Sequence, residues 1–507
     1  MDKFLDALLS VINYINDKIL WGIPMILAIL CTGILITVRT KALQVRKFGK
    51  AFSTTIVPTI KGIGKKGENK ADGAKTISQF EAFSAAISGT VGTGNIVGAT
   101  SAIISGGPGA VFWMWVSAFF GLVTKYSENV LGLYFRKRDK DGEISGGPMY
   151  YIAHGLGLKW LGMIFAFCCT LAATGMGMVQ ANSISGTLQS SIGGDNGVIR
   201  KVVAGIVAGV VVVLAALIII GGIKRIGKVA SMIVPFMTLL FIVMALTIIF
   251  MNVTAIPTAF ALIFKGAFNL QSVAGGLLGY TVMVAMRYGF ARGIFSNEAG
   301  LGSSVIAHSA SETKEPVKQG LWGIFEVFFD TFVICTLTAL TLLTTAIKSG
   351  KYDFTKIAEN DGVLNKNTVA MFAFTERFGA FGSVVFSIVL PLFAFTTILA
   401  WAYYGQKAIE FLAGKGSKVA ANVFKVLYVG LLAVGALVSS DLVWALDDMF
   451  NAMMALPNLI ALILMSGLIV KISKNYFDRK KGLEVEPMLS AYPDLNAELA
   501  SKLSDED

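Results

Sequence analysis

Eleven stretches of this chain run for about twenty residues with scarcely a charge, and about twenty apolar residues are what one helix needs to cross a bilayer. They fall near residues 20–38, 80–104, 109–134, 160–185, 200–221, 229–251, 272–295, 320–346, 380–405, 420–438 and 444–471. In hydrocarbon every unpaired backbone group costs several kcal/mol, so so many crossings force packed helices. Composition agrees, at 55% hydrophobic and 15% charged residues over 507 positions, where a soluble protein carries about 25% charged. The predicted fold class is an all-α polytopic membrane protein.

The basic residues orient the crossings, because Lys and Arg collect in cytoplasmic loops. Between the first two runs lie Arg39, Lys41, Arg46, Lys47, Lys50, Lys61, Lys65, Lys66, Lys70 and Lys75. Further basic connections are "RKRDKDGE", "GGIKRIGK", "SETKEPVK", "GQKAIEFLAGKGSK" and "KISKNYFDRKKG", while "SSIGGDNG" and "KYDFTKIAENDG" are mixed or acidic. The expectation is a plasma-membrane protein with its N-terminus outside and its C-terminus in the cytoplasm. The net charge of +11 is then mostly this bias, with some attraction to anionic lipid heads, and no nucleic-acid role is implied. "MDKFLDALLSVINYINDKIL" has no cleavage signal, so the first run is expected to be retained. Cys31, Cys168, Cys169 and Cys335 show no metal or disulfide spacing.

Two runs are built badly for helices. "ISGTVGTGNIVGATSAI", residues 87–103, carries Gly89, Gly92, Gly94 and Gly98, and each internal Gly costs a helix about 1 kcal/mol against Ala. The run at 272–295 contains Gly275, Gly276, Gly279, Gly289 and Gly293 with Arg287 and Arg292, and continues "SNEAGLGSSVIAHSA". With the first crossing set aside, the two stand first and sixth of ten and cross in opposite senses, as an inverted five-plus-five repeat requires. Paired interruptions of this kind mark a transporter's central site. A break at the midplane offers amide N–H groups and a positive dipole end to a carboxylate. Its carbonyls, with Ser or Thr hydroxyls, suit a dehydrated sodium ion. The alternative is that the glycines only let helices pack closely.

"GGPGAVFWMWVSAFFG", residues 106–121, resembles the signature of the sodium:alanine (amino acid) symporter family, and "GTVGTGNIVGA", "FSNEAGLGS", "GGPMYY", "GGIKRIG" and "WAYYGQK" resemble the same family. The likeness extends from about residue 15 to 475. It implies a LeuT-type fold and sodium-driven uptake of alanine, often glycine and sometimes D-alanine, with no organic cofactor and no enzymatic activity. It divides the chain into an extra helix and basic loop (1–79), a first five-helix repeat (80–255), a second, inverted one (256–471) and a cytoplasmic tail (472–507).

On that resemblance the substrate carboxylate meets amides at Thr93 and Gly94, with Thr90 and Gly92 adjacent. Sodium takes carbonyls of Ser88, Val91 and Phe393 and hydroxyls of Thr396 and Thr397 in "PLFAFTTILAW". The two hydroxyls could instead bond back to their own helix. Asn95 is a further candidate ligand or a helix cap. Gln180, in "ATGMGMVQANS", is a candidate substrate contact or a bond between helices. Tyr288, Gly289 and Phe290 would close around a small side chain, favouring alanine and glycine over leucine.

Ionisable residues within crossings are functional candidates. Glu326 and Asp330, four apart, share a helix face, and mutual neutralisation with Arg287 and Arg292 is the simplest reading, with gating or coupling as the other. Lys125 and Glu128 look like a local pair; His154 and His308 look structural. Glu81, Glu326 and Asp330 keep proton coupling open. A channel filter and a convergent catalytic set are both missing from the sequence.

Overall fold

The computed structural model describes residues 2–62, 76–138, 144–192, 196–268, 278–360, 363–414 and 417–503. Lys65, Lys66, Lys70 and Lys75 of the basic loop, and Gly275 and Gly276 of the seventh run, lie outside them. Almost everything described is helix; the strands are the pair Lys137–Arg138 and Ile144–Ser145. Among the described residues, seven helices are long and apolar enough to cross a membrane: Lys159–Ile192, Gly197–Ile219, Gly222–Met251, Pro316–Ser349, Lys366–Ala413, Ser417–Leu437 and Ser440–Arg479. Ala7–Leu20 and Ile23–Arg39 form a further candidate span, bent by 42° where Gly22 and Pro24 open the second piece. The run at 80–104 is helical in two parts, and Gly109–Tyr134 is one helix of 26 residues.

The surface is inverted relative to a soluble protein. Val213, Leu217, Phe236, Leu239, Val243 and Val426 are exposed, whereas Ser88, Asn95, Gln180, Ser296, Asp330 and Thr397 are buried. Lipid accepts the first group, and each member of the second needs an internal partner.

Local chemistry explains where helices begin. Ser78 and Glu81 form a capping box at the entry to Gln79–Thr90, so Glu81 is engaged in holding a helix end. Asn196 and Asn365 accept backbone N–H groups at the starts of Gly197–Ile219 and Lys366–Ala413. The latter helix kinks at Gly379, where φ is 56°. Ile256–Phe268 is a helix that reading for twenty-residue runs passed over, being 13 residues long. Its Gly266 lies against Gly109, where a Cβ on Gly109 would fall 2.3 Å from the Gly266 carbonyl carbon.

The two Gly-rich segments meet. Ile77 N–H donates to the Ala310 carbonyl (3.2 Å) and Glu312 N–H to the Ile77 carbonyl (2.8 Å). The buried Arg136 guanidinium donates to the carbonyls of Ser309, Ser311 and Thr313.

Candidate functional site

The first interruption is a true break. Gln79–Thr90 ends at Val91, whose φ and ψ of −82° and 86° are not helical, and the chain resumes through a wide π turn, Gly94–Gly98, into Ala99–Gly106. Two side chains cap the second piece. Asn95 Oδ1 accepts from Gly92 N–H (2.9 Å), and Gln180 Oε1 accepts from Thr93 N–H (3.3 Å). An amide oxygen thus lies where a carboxylate oxygen would take the same donor.

The glycines serve close approach as well. A Cβ on Gly92 would fall 2.3 Å from Thr397 Oγ1, one on Gly94 3.1 Å from Phe295, and one on Gly89 2.6 Å from the Tyr404 hydroxyl. Two other helices, Lys366–Ala413 and Leu278–Asn297, therefore touch the broken backbone directly, so these glycines serve close packing as well as the break.

The oxygens gather beside the break. Thr397 Oγ1 donates to the Ser88 carbonyl (2.8 Å) and to the Phe393 carbonyl (3.1 Å). Thr396 Oγ1 donates to the carbonyls of Phe393 (3.0 Å) and Leu392 (3.1 Å). Both hydroxyls do bond back to their own helix, and that of Thr397 also crosses to the break. Val91 is fully buried beside them in sequence. Among the described residues, the buried hydroxyls of Thr93 and Tyr404 have no hydrogen-bond partner. Thr90 Oγ1 donates to the Ile87 carbonyl (3.2 Å).

Asp330 completes the surroundings. Its carboxylate accepts from Asn95 Nδ2 (2.6 Å), from Ser296 Oγ (3.1 and 2.9 Å) and from Thr331 Oγ1 (2.8 Å). Among the described residues it has no cationic partner within 4 Å. It sits in a π-helical stretch, Phe328–Cys335.

The expected ion pairs are corrected here. Arg292 grips Asp448 with two hydrogen bonds (2.9 and 2.7 Å), and Arg287 pairs with Asp17. Glu326 pairs with Lys125 (3.7 Å) and with His308 (2.7 Å). Lys125 and Glu128 do not pair: Lys125 donates to Ser304 Oγ (2.7 Å), and Glu128 accepts from Gly300 N–H (3.0 Å) and Asn458 Nδ2 (2.6 Å).

Nor does the structure bring Tyr288, Gly289 or Phe290 to the break. A Cβ on Gly289 would fall 2.5 Å from Ala110 O and from Trp113 Cβ, which is helix packing. Phe290 is buried near Trp113, with ring centroids 6.3 Å apart. Tyr288 lines an outer cavity of about 350 Å³ with Asn16, Asp17, Arg287, Arg292 and Asp448. From the same helix it is Phe295 and Ser296 that reach Gly94. Phe295 stacks on Trp444 with centroids 5.1 Å apart, and Arg292 lies over both rings. Sequence reasoning missed Ser296, Phe295 and Trp444. A helix register carried one and a half turns further would have found the first two.

The second interruption differs in kind. Leu278–Asn297 ends at Glu298, which has a φ of 55°, and Gly300 and Gly302 follow at 96° and 76°. Glu298 accepts from Trp401 Nε1 (2.9 Å) and from Ser303 Oγ. Glu128, Glu298, Glu326, Lys125 and His308 are all fully buried around it, with Gln319 Nε2 held on His308 Nδ1 (2.6 Å).

Carbonyls, hydroxyls and one carboxylate thus gather at the broken helix. The sodium:alanine symporter family model matches residues 5–489. The sodium/alanine symporter AgcS of Methanococcus maripaludis is 39% identical over 479 residues, covering 93% of this chain and 98% of that one. The probable sodium/glutamine symporter GlnT of Bacillus subtilis is 34% identical over 483 residues, covering 95% and 92%. In three dimensions the chain is similar to MhsT, solved with L-phenylalanine, at a TM-score of 0.54 and 14% identity over 79% of this chain and 98% of that one. That likeness carries the LeuT-type fold alone, and with the two sequence comparisons it gives the conclusion that the chain belongs to the sodium:alanine symporter family.

Proposed function

We propose that this protein carries a small neutral amino acid, alanine or glycine before larger ones, into the cell together with sodium by alternating access. The observation that carries the reading is the Thr397 hydroxyl bridging the Ser88 and Phe393 carbonyls across two helices. These atoms and Thr396 Oγ1 are hard oxygen donors. Sodium entering among them would turn the hydroxyl protons outward and take the freed lone pairs. The substrate carboxylate would replace Gln180 Oε1 on Thr93 N–H, aided by the positive end of the second half-helix. Asp330, held by Asn95 and Ser296 from both broken helices, supplies a negative charge next to the same break and is proposed as a ligand of the coupling cation.

Two relatives bear on what is carried. The name of GlnT includes glutamine, so the size limit is a property of each member's walls; here Phe295 and Trp444 narrow the space beside Gly94. YrbD of Bacillus subtilis, 38% identical over 474 residues, is described as a putative sodium/proton-dependent alanine carrier. Proton coupling is the second reading, favoured by the lack of a cationic partner for Asp330.

Proteoliposomes test both. With one sodium per zwitterion, a tenfold sodium gradient contributes about 1.4 kcal/mol and 100 mV about 2.3 kcal/mol. Together they would hold an alanine gradient of about 400- to 500-fold. Alanine uptake should need inward sodium, rise with a potassium-diffusion potential, and be competed by glycine but not by leucine or glutamate. Uptake indifferent to sodium and driven by a proton gradient would transfer the mechanism to the second reading.

A further inference from the structure

A second site lies far from the break, between the ends of Ile23–Arg39 and Ser440–Arg479. There a cavity of about 320 Å³ is lined by Arg39, Lys41, Arg46, Lys47, Lys474 and Lys481 and by a single carboxylate, Asp478. Among the described residues, Asp478 pairs with Lys481 alone, at 3.6 Å. Both arginines are spent on the protein itself. Arg46 donates to the carbonyls of Lys41 (2.5 Å) and Thr40 (2.9 Å), and Arg39 donates to Ser466 Oγ (2.7 Å). Among the described residues, Lys41, Lys47 and Lys474 have no carboxylate within 4 Å.

The backbone has been bent to hold this arrangement. Lys41 and Ala42 both take left-handed φ values, 56° and 53°, a costly choice for residues with a Cβ. The turn swings Lys41 and Lys47 to face Lys474 from the other helix. Crowding like charges is unfavourable unless an anion sits among them. The floor is apolar: Leu43, Val470 and Phe477 line the same cavity, and Lys47 Nζ rests 4.7 Å from the centre of the Phe477 ring. Directly along the helix leading into the turn, Ile34 and Val38 form an outward stripe, 45% and 70% exposed.

We infer that this cavity binds the phosphate headgroup of an anionic phospholipid. Lys41, Lys47 and Lys474 hold the phosphate, and the acyl chains run down the Ile34–Val38 stripe. A basic pocket between helices at the membrane face is the arrangement such headgroups occupy. A free phosphate would use the lysines and leave the apolar floor and stripe without a role, so the lipid accounts for more of the site.

The test uses the full chain in detergent with three probes: dioctanoyl phosphatidylglycerol, dioctanoyl phosphatidylcholine and inorganic phosphate. Binding is read by native mass spectrometry and by the thermal unfolding midpoint. Phosphatidylglycerol should bind and raise the midpoint, and the other two should not. Changing Lys41, Lys47 and Lys474 together to Ala should weaken phosphatidylglycerol binding roughly a hundredfold. Lys→Arg at the same three positions should keep it, as should Lys201→Ala with Lys348→Ala at exposed positions elsewhere. Equal binding of the two lipids would overturn the inference, as would wild-type affinity in the triple Ala variant. Inorganic phosphate competing at the same concentration would reassign the cavity to a free anion. Should the Ala variant not fold, the three-probe comparison on the unaltered protein still decides.

Discussion

The two interruptions share a composition of Gly, Ser, Thr and Asn and part ways in what surrounds them. Around Val91 and Gly92 the polar atoms are amides, carbonyls and hydroxyls; among the described residues two of the hydroxyls are unpartnered and one carboxylate, Asp330, stands without a cation. Around Glu298 to Ser304 the space is filled by the protein's own ionisable groups, three carboxyl groups with Lys125 and His308, cross-linked by hydrogen bonds. Glycine lets backbone bend in a membrane, and the neighbouring side chains then decide whether the exposed groups are kept for a ligand or consumed as structure. The first break keeps unpartnered oxygens among the described residues, and the second is cross-linked by its neighbours.

The largest expected effect tests the cross-linking. Lys125→Met leaves Glu326 buried with only His308, and removing one partner of a buried pair costs about 3–5 kcal/mol. Purified protein should unfold at a clearly lower temperature, and Lys125→Met combined with Glu326→Met should recover part of the loss. A single variant melting like the wild type would show that charge does not hold the second break.

Next comes Asp330→Asn, which keeps the shape and removes the lone charge beside the first break. Sodium-driven alanine uptake should fall roughly a hundredfold, about 2.8 kcal/mol at 1.4 per decade, in protein that still elutes as a single folded species. Uptake within a few-fold of wild type would take Asp330 out of ion binding.

A smaller shift is expected from Thr396→Ala with Thr397→Ala. Losing two hard ligands should raise the sodium concentration for half-maximal uptake by about tenfold. Alanine affinity should fall with it, since coupling between bound ligands is reciprocal. An unchanged sodium curve would place the ion elsewhere.

The smallest concerns Glu81→Gln. In the capping box its side chain accepts from Ser78, and an amide oxygen can do the same. Transport and its pH profile should stay within about twofold, given the few tenths of a kcal/mol at stake in such a swap. A marked change would restore Glu81 as a proton carrier.

Much of this architecture could be read from the chain because membrane helices announce themselves by length and composition. The break at Val91–Gly92 was legible for the same reason: four glycines in an apolar run have few other uses. Long-range pairing was not. Arg292 finds Asp448 and Arg287 finds Asp17, partners distant in sequence that only the packed bundle brings near. Spacing put Glu326 and Asp330 on one face but could not name their partners: Lys125 and His308 for the first, Asn95 and Ser296 for the second. Ile256–Phe268 was overlooked because a search tuned to bilayer thickness ignores shorter helices. The expected wall at Tyr288 to Phe290 was displaced because the helix continues to Asn297, so the residues beside the break come later.

The seam joining Ile77 to Ala310 and Glu312, with Arg136 gathered onto three carbonyls, has a mechanical meaning. At about 0.5–1.5 kcal/mol for each hydrogen bond, the two bonds of Ile77 hold the entrance of the first broken helix to the loop beyond the second by about 1–3 kcal/mol, and Arg136 ties that same loop to the end of Gly109–Tyr134. In the alternating-access reading proposed above, the two elements would travel together, the pivot would lie outside this seam, and cargo at the first break would be moved by a body whose far arm is the second.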